Sequence, residues 1–142
     1  LMDPMASLGV RVIEQPCPAG ADVPVAHPPS LKLCADESCH TEDDLPRLAG
    51  TYDMINIKLD KAGGLTAACR LADAARTQGF EIMVGCMVAT SLSMAPATML
   101  AGRAVFIDLD GPLWLARDRD AALVCEHGRI FPPTPQLWGW SD

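Results

Sequence analysis

Apolar and polar positions cycle along this chain: a short β-type run of mostly apolar residues, a polar residue closing it, then a loop or a helix-forming stretch. The runs cover residues 10–14, 31–36, 54–58, 81–85 and 104–110. From Glu14 to Asp36 is 22 residues, from Asp36 to Lys58 22, from Lys58 to Gly85 27, and from Gly85 to Asp108 23. That is one β/α unit, repeated. The clearest helix spans 65–78, where Leu65, Ala68, Cys69, Leu71, Ala72 and Ala75 form an apolar stripe that stops at Gly79. Thr41 and Asp44 resemble a capping box for a short helix ending near Gly50. A further helix is expected over 91–103, with Pro96 as a kink or first-turn residue. Pro24, Pro28 and Pro29 leave room for only a short or irregular helix in 21–30. After Gly111 the pattern dissolves into a short helix around 118–124 and a Pro-rich tail over 131–142, so the chain divides into a β/α part, 1–112, and a C-terminal part, 113–142.

Alternating β and α elements with mostly apolar strands imply a parallel sheet backed by helices. Parity assigns the side chains. Ile55 and Ile57 share one face while Asn56 and Lys58 share the other; Ile107 and Leu109 oppose Phe106, Asp108 and Asp110. An open doubly wound sheet buries apolar residues on both faces, whereas a barrel accepts inward polar residues at the C-terminal mouths of its strands. The expectation is therefore an α/β chain holding part of a TIM-like barrel. A complete barrel has eight strands in about 250 residues, and five are present, so about three are missing.

Composition narrows the partners. With 142 residues, 49% hydrophobic and 20% charged, the chain suits one soluble domain or part of one. A formal net charge of −7 argues against nucleic acid and anionic membrane and favours a small molecule or a cation. The six cysteines lack compact spacing, and the trio Cys34, Cys39 and His40 lacks a second ligand pair at zinc-finger spacing, so reduced thiols and a cytoplasmic location are expected. Charged residues interrupt every apolar run before bilayer-spanning length. Leu1 is no initiator and the first apolar run follows almost at once, which reads as a cut inside a larger protein.

Glu14 and Asp36, one β/α unit apart, are expected to converge at the mouth as hard oxygen ligands suited to Mg²⁺. Lys58, one unit further, would sit beside that metal, where partial desolvation lowers a lysine towards neutrality and makes it a base. Asp108 and Asp110 form a second negative patch suited to an ammonium group. Taken singly, each carboxylate also reads as a helix cap or a solvated loop residue, and Lys58 as a snorkelling side chain; shared parity and spacing favour the site. Met83, Met87, Met94 and Met99 read as core filling.

Ile-Glu-Gln-Pro at 13–16, Ala-Asp-Glu-Ser at 35–38, Asn-Ile-Lys-Leu-Asp-Lys-Ala-Gly-Gly at 56–64, Gly-Cys-Met at 85–87 and Asp-Leu-Asp-Gly-Pro at 108–112 resemble, in order, the enolase superfamily, and within it the dipeptide epimerases of the L-Ala-D/L-Glu type. The resemblance implies the C-terminal part of a (β/α)7β barrel and an isomerase acting on a dipeptide. It implies Glu14 and Asp36 as the second and third Mg²⁺ ligands, Lys58 as the general acid/base on the sixth strand, and Asp108 and Asp110 as the binders of the substrate ammonium. Gly85, Cys86 and Met87 are implied to line the substrate. In such enzymes a lysine removes the α-proton, the metal stabilises the enediolate, and a second lysine returns the proton. The family's Lys-x-Lys, its first metal-ligand Asp and its N-terminal capping domain have no counterpart in this sequence, which implies pairing with a missing N-terminal half or self-association. The alternatives are a muconate-lactonising cycloisomerase or acid-sugar dehydratase using the same metal, or a non-catalytic half-barrel.

Overall fold

The computed structural model describes residues 2–139; Leu1 and the last part of the Pro-rich tail, 140–142, lie outside the described residues. Five parallel strands, β1 (Val12–Glu14), β2 (Lys32–Ala35), β3 (Met54–Ile57), β4 (Glu81–Val84) and β5 (Phe106–Ile107), pair in strictly sequential order. The register aligns Glu14 with Cys34, Ala35 with Ile55, Ile57 with Val84 and Val84 with Ile107. Helices α1 (Met2–Ser7), α2 (Leu45–Leu48), α3 (Leu59–Ala62), α4 (Leu65–Thr77) and α5 (Ser91–Ala97) complete this part, and a two-stranded hairpin, β6 (Cys125–Glu126) and β7 (Arg129–Ile130), follows.

The sheet curls. In a flat sheet at about 4.8 Å per strand, β1 and β5 would stand roughly 19 Å apart. The Arg11 guanidinium, at the entrance to β1, nevertheless lies 5.3 Å from the centre of the Phe106 ring on β5. The chain is a curled half-barrel of five sequential parallel strands, with helices on the connections that follow β2, β3 and β4.

Parity sorts the strand side chains as the sequence implies. Leu33, Ala35, Ile55, Ile57, Ile82 and Val84 join the buried cluster on the outer face, with Ala68, Leu71, Ala72 and Ala75 of α4. The alanines let the helix lie close to the sheet. Gly79, at φ 85°, ends α4, and the Phe80 N–H bonds back to the Ala75 carbonyl at 3.0 Å. On the inner face Cys34, Met54 and Met83, with Val12 and Phe106, form a separate apolar floor. Two positions further along the strands the inner residues are Glu14, Asp36, Asn56, Gly85 and Asp108, polar in four of the five.

Several expectations need correction. The 118–124 segment is not helical: Asp118 spends its carboxylate on Ser91, whose backbone N–H it accepts at 2.9 Å, and Ala121 takes a positive φ of 55°. The hairpin that follows turns at His127 and Gly128, φ 50° and 71°, the two-residue turn that matches strand twist. Strand β5 is shorter than 104–110, and among the described residues it has a partner on one side alone. The 91–103 segment is α-helical to Ala97 and continues as a 3-10 turn over Thr98–Arg103, with Pro96 inside α5. Met83 and Met94 are buried as expected, but Met87 and Met99 are 50% and 68% exposed. No sequence signal marked α1. Between β1 and β2 no helix forms; Val25 of this Pro-rich connection packs on the outer core instead.

Candidate functional site

Parallel strands deliver their C-terminal ends to one mouth, and each of the five carries a residue singled out from the sequence. Glu14 ends β1; Asp36, Lys58, Gly85 and Asp108 are the first residues beyond β2, β3, β4 and β5. Backbone bonds hold them in register: Gly85 N–H to the Ile57 carbonyl at 3.0 Å and Asp108 N–H to the Val84 carbonyl at 2.8 Å.

Lys58 is the centre of the arrangement. Its Nζ lies 2.7 Å from Asp36 Oδ2 and 3.9 Å from Glu14 Oε1. Burial alone lowers the lysine, but the Asp36 bond and the charges of Asp36 and Glu14 outweigh it, so Lys58 is held above its ordinary value. The expectation of a lysine lowered towards neutrality is corrected: two carboxylates beside it stabilise the ammonium. Asp36 is 5% exposed. Burial would raise its carboxyl, yet the bonds and charges of Lys58 and Lys61 hold it below the usual range. Glu14 moves the other way, raised by burial and by repulsion from Asp36 against the opposing bond from Asn56.

Two participants carried no assignment from sequence. Lys61, one turn after Lys58, donates to the Asp36 carboxylate, to the Asp36 carbonyl at 2.5 Å and to the Cys39 carbonyl at 3.3 Å. The Lys-x-x-Lys spacing across the start of a helix was the available signal. Asn56, 2% exposed, donates from Nδ2 to Glu14 Oε1 at 2.6 Å. Parity had put it inward without a role. Gly85 faces it directly: a β-carbon there would stand 2.5 Å from Asn56 Oδ1.

Asp108 and Asp110 sit at the far side of the mouth, both exposed. Asp108 is raised, first by the partial desolvation its carboxyl still suffers against the mouth and then by the charge of Asp110. Trp114 Nε1 donates to Asp110 Oδ2 at 3.1 Å. Cys86 Sγ accepts the Gly111 N–H at 3.3 Å, and its thiol is raised mainly by burial. Two carboxylates two residues apart at one rim, with Asp108 raised in part by the charge of Asp110, form a place where a cation is favoured.

The cleft bounded by Glu14, Cys17, Asp36, Glu37 and Lys58 has a volume of about 720 Å³. As a metal site it is incomplete: among the described residues no three His, Cys, Asp or Glu side chains form a set that could hold an ion. The two carboxylates present do fit the hard oxygen chemistry of Mg²⁺. Lys58 Nζ lies within 3.9 Å of an oxygen of each, and beside them Asn56 Oδ1 is buried without a partner among the described residues.

The family model described as Enolase C-terminal domain-like matches residues 1–140. An N-acetyl-D-glutamate racemase from Pseudoalteromonas sp. is 52% identical over 139 residues, covering 97% of this chain and 44% of that protein. An L-Ala-D/L-Glu epimerase from Escherichia coli K12 is 50% identical over 129 residues, covering 89% and 40%. Among solved structures, an enolase family member from Agrobacterium tumefaciens with homology to dipeptide epimerases, containing sodium and L-Ala-L-Glu, superposes with a TM-score of 0.91 at 50% identity, over 97% of this chain and 43% of that one. A dipeptide epimerase from Methylococcus capsulatus, complexed with Mg and L-Arg-D-Lys, gives a TM-score of 0.81 at 37% identity, over 92% and 40%. The chain thus spans about two-fifths of the length of the relatives it matches.

Proposed function

Since the chain belongs to the enolase C-terminal domain-like family, we propose that its parent protein is a Mg²⁺-dependent dipeptide epimerase of the L-Ala-D/L-Glu type, located in the cytoplasm. The observation that carries the proposal is the convergence at one mouth of Glu14, Asp36, Lys58 and Asp108, with Lys58 2.7 Å from Asp36. In this reading Lys58 moves the substrate α-proton on one face. As placed it is an ammonium and delivers a proton; to accept one it must first be released from Asp36. Asp108 and Asp110 hold the substrate α-ammonium, with Cys86 and Met87 along the wall between. Glu14 and Asp36 would hold Mg²⁺, which when bound supplies Lewis-acid stabilisation of the substrate carboxylate. The third metal carboxylate and the second lysine are assigned to the part of the parent outside these residues, as is the closure of the barrel.

In the full-length parent, Lys58→Ala is expected to abolish exchange of the substrate α-proton with D₂O from one face while leaving the fold intact. Exchange at the wild-type rate would remove Lys58 from the mechanism. A second reading, racemisation of an N-acylated amino acid, is favoured by the 52% identical racemase. The carboxylate pair speaks against it, because an N-acyl group presents no cation to Asp108 and Asp110. Converting both to Asn should weaken a free dipeptide far more than its N-acetylated analogue; equal losses would favour the second reading.

A further inference from the structure

One side chain joins the two loops that carry Glu14 and Asp36. Gln15 follows Glu14 with φ at 40°, a left-handed conformation uncommon for a residue with a β-carbon. Its amide reaches across to the end of β2. Oε1 accepts the backbone N–H of Asp36 at 2.8 Å and of Ser38 at 3.2 Å. Nε2 faces acceptors alone: the Cys17 carbonyl at 2.7 Å, Ser38 Oγ at 2.9 Å, Tyr52 Oη at 3.1 Å and Asp22 Oδ1 at 3.3 Å. The amide cannot be reversed without setting N–H against N–H.

Behind Gln15 stands a half-buried anion that orients the donors. Asp22 Oδ1 accepts the Tyr52 hydroxyl at 2.6 Å and the Ser38 hydroxyl at 2.7 Å, and Arg47 Nη1 lies 3.4 Å from Oδ2. With both hydroxyl protons committed to Asp22, their oxygens are free to accept from Gln15. A left-handed backbone costs energy and persists where the surroundings over-determine it; two bonds accepted by Oε1 and a ring of four acceptors around the two N–H donors of Nε2 do so.

We propose that Gln15 is a positioning residue: its amide fixes the separation of the Glu14 and Asp36 carboxylates and thereby sets the affinity of the site for a divalent cation. The cation clause rests on the reading given under Proposed function; the tie between the loops does not. Gln15→Gly tests it without risk from backbone strain, since glycine accepts the positive φ. Gln15→Glu keeps the acceptor but turns a carboxylate oxygen towards Asp22, and the pair Gln15→Glu with Asp22→Asn restores a donor there.

Two measurements on the full-length parent decide the matter: hydrogen exchange at the Asp36 and Ser38 amides, and calorimetric titration with MgCl₂. Gln15→Gly and Gln15→Glu should each speed exchange at those two amides but not at β3 and β4, and weaken Mg²⁺ by at least about tenfold, the usual effect of losing an outer-shell partner. The double variant should recover most of the lost Mg²⁺ affinity. Unchanged exchange at Asp36 and Ser38 overturns the proposal, as does unchanged Mg²⁺ affinity in the single variants. If the wild-type parent binds no Mg²⁺, the metal reading and the cation clause both fall, and selective exchange at the two amides would leave the tie standing.

Discussion

Replacing Gly85 by alanine puts one methyl group into the space occupied by Asn56. The backbone at Gly85 has no positive φ, so alanine meets no conformational penalty. The obstacle is steric: the three nearest atoms, at 2.5, 2.6 and 2.9 Å, all belong to the Asn56 amide. To reach ordinary contact near 3.4 Å, Asn56 must retreat by about 1 Å, and its side chain is buried with little room to do so. If it stays, the overlap costs about 1–3 kcal/mol. If it swings, it gives up the 2.6 Å bond to Glu14, a charge-assisted bond of about 1.5–3 kcal/mol, with the lower end applying because Glu14 is one-third exposed. Either branch leads to about 2 kcal/mol. Asn56→Ala removes the obstacle along with the bond, so adding Gly85→Ala to it should cost under about 0.5 kcal/mol. Urea unfolding of wild type, both single variants and the double variant of the parent gives the coupling directly. An equal cost for Gly85→Ala in both backgrounds would refute the reasoning and leave Gly85 as a substrate-facing residue alone.

Two other predictions concern stability and assembly. The Asp118 carboxylate, held low because its bonds to Ser91 and the Arg119 N–H outweigh its burial, clips the tail to the first turn of α5. A lowered pKa gives stability that is present above the ordinary value near 4 and lost as pH falls through the folded value below it; Asp118→Asn should therefore cost about 1 kcal/mol at pH 7, with the difference from wild type shrinking in denaturant melts as pH falls below the ordinary carboxylate range. As a separate 142-residue polypeptide the chain should be inactive towards L-Ala-L-Glu with Mg²⁺ and should self-associate or aggregate, because β1 and β5 each present an unpaired side. Light scattering at several concentrations checks this, and a monodisperse monomer with turnover would contradict it.

The strand ends were legible because period and parity are local: Ile55 and Ile57 could face the helix layer in one way alone once Asn56 and Lys58 were inward. Helix α4 was legible for the same reason. What escaped depended on distant partners. Asp118 looked like a helix residue until Ser91 claimed its carboxylate. The Lys58 shift was missed because burial was weighed without the two acids that oppose it. Gln15 belongs to the Ile-Glu-Gln-Pro motif, but nothing in the sequence shows that its amide bonds across to the next strand end. Met87 was read as core on hydrophobicity, yet its place beyond β4 at the mouth leaves it exposed.

The strictly sequential strand order has a consequence for how the parent can be assembled. Each strand pairs with its immediate successor in the chain, so sheet pairing is a nearest-neighbour property, as in repeat arrays, and loop closure spans one unit at a time. No pairing inside these five units depends on residues elsewhere in the parent. Within the sheet, the sides left unpaired among the described residues are those of the two outer strands, β1 and β5. Such an architecture can be split at a loop and rejoined from two polypeptides, so complementation with the remainder of the parent becomes a problem of matching two edges rather than of refolding a core.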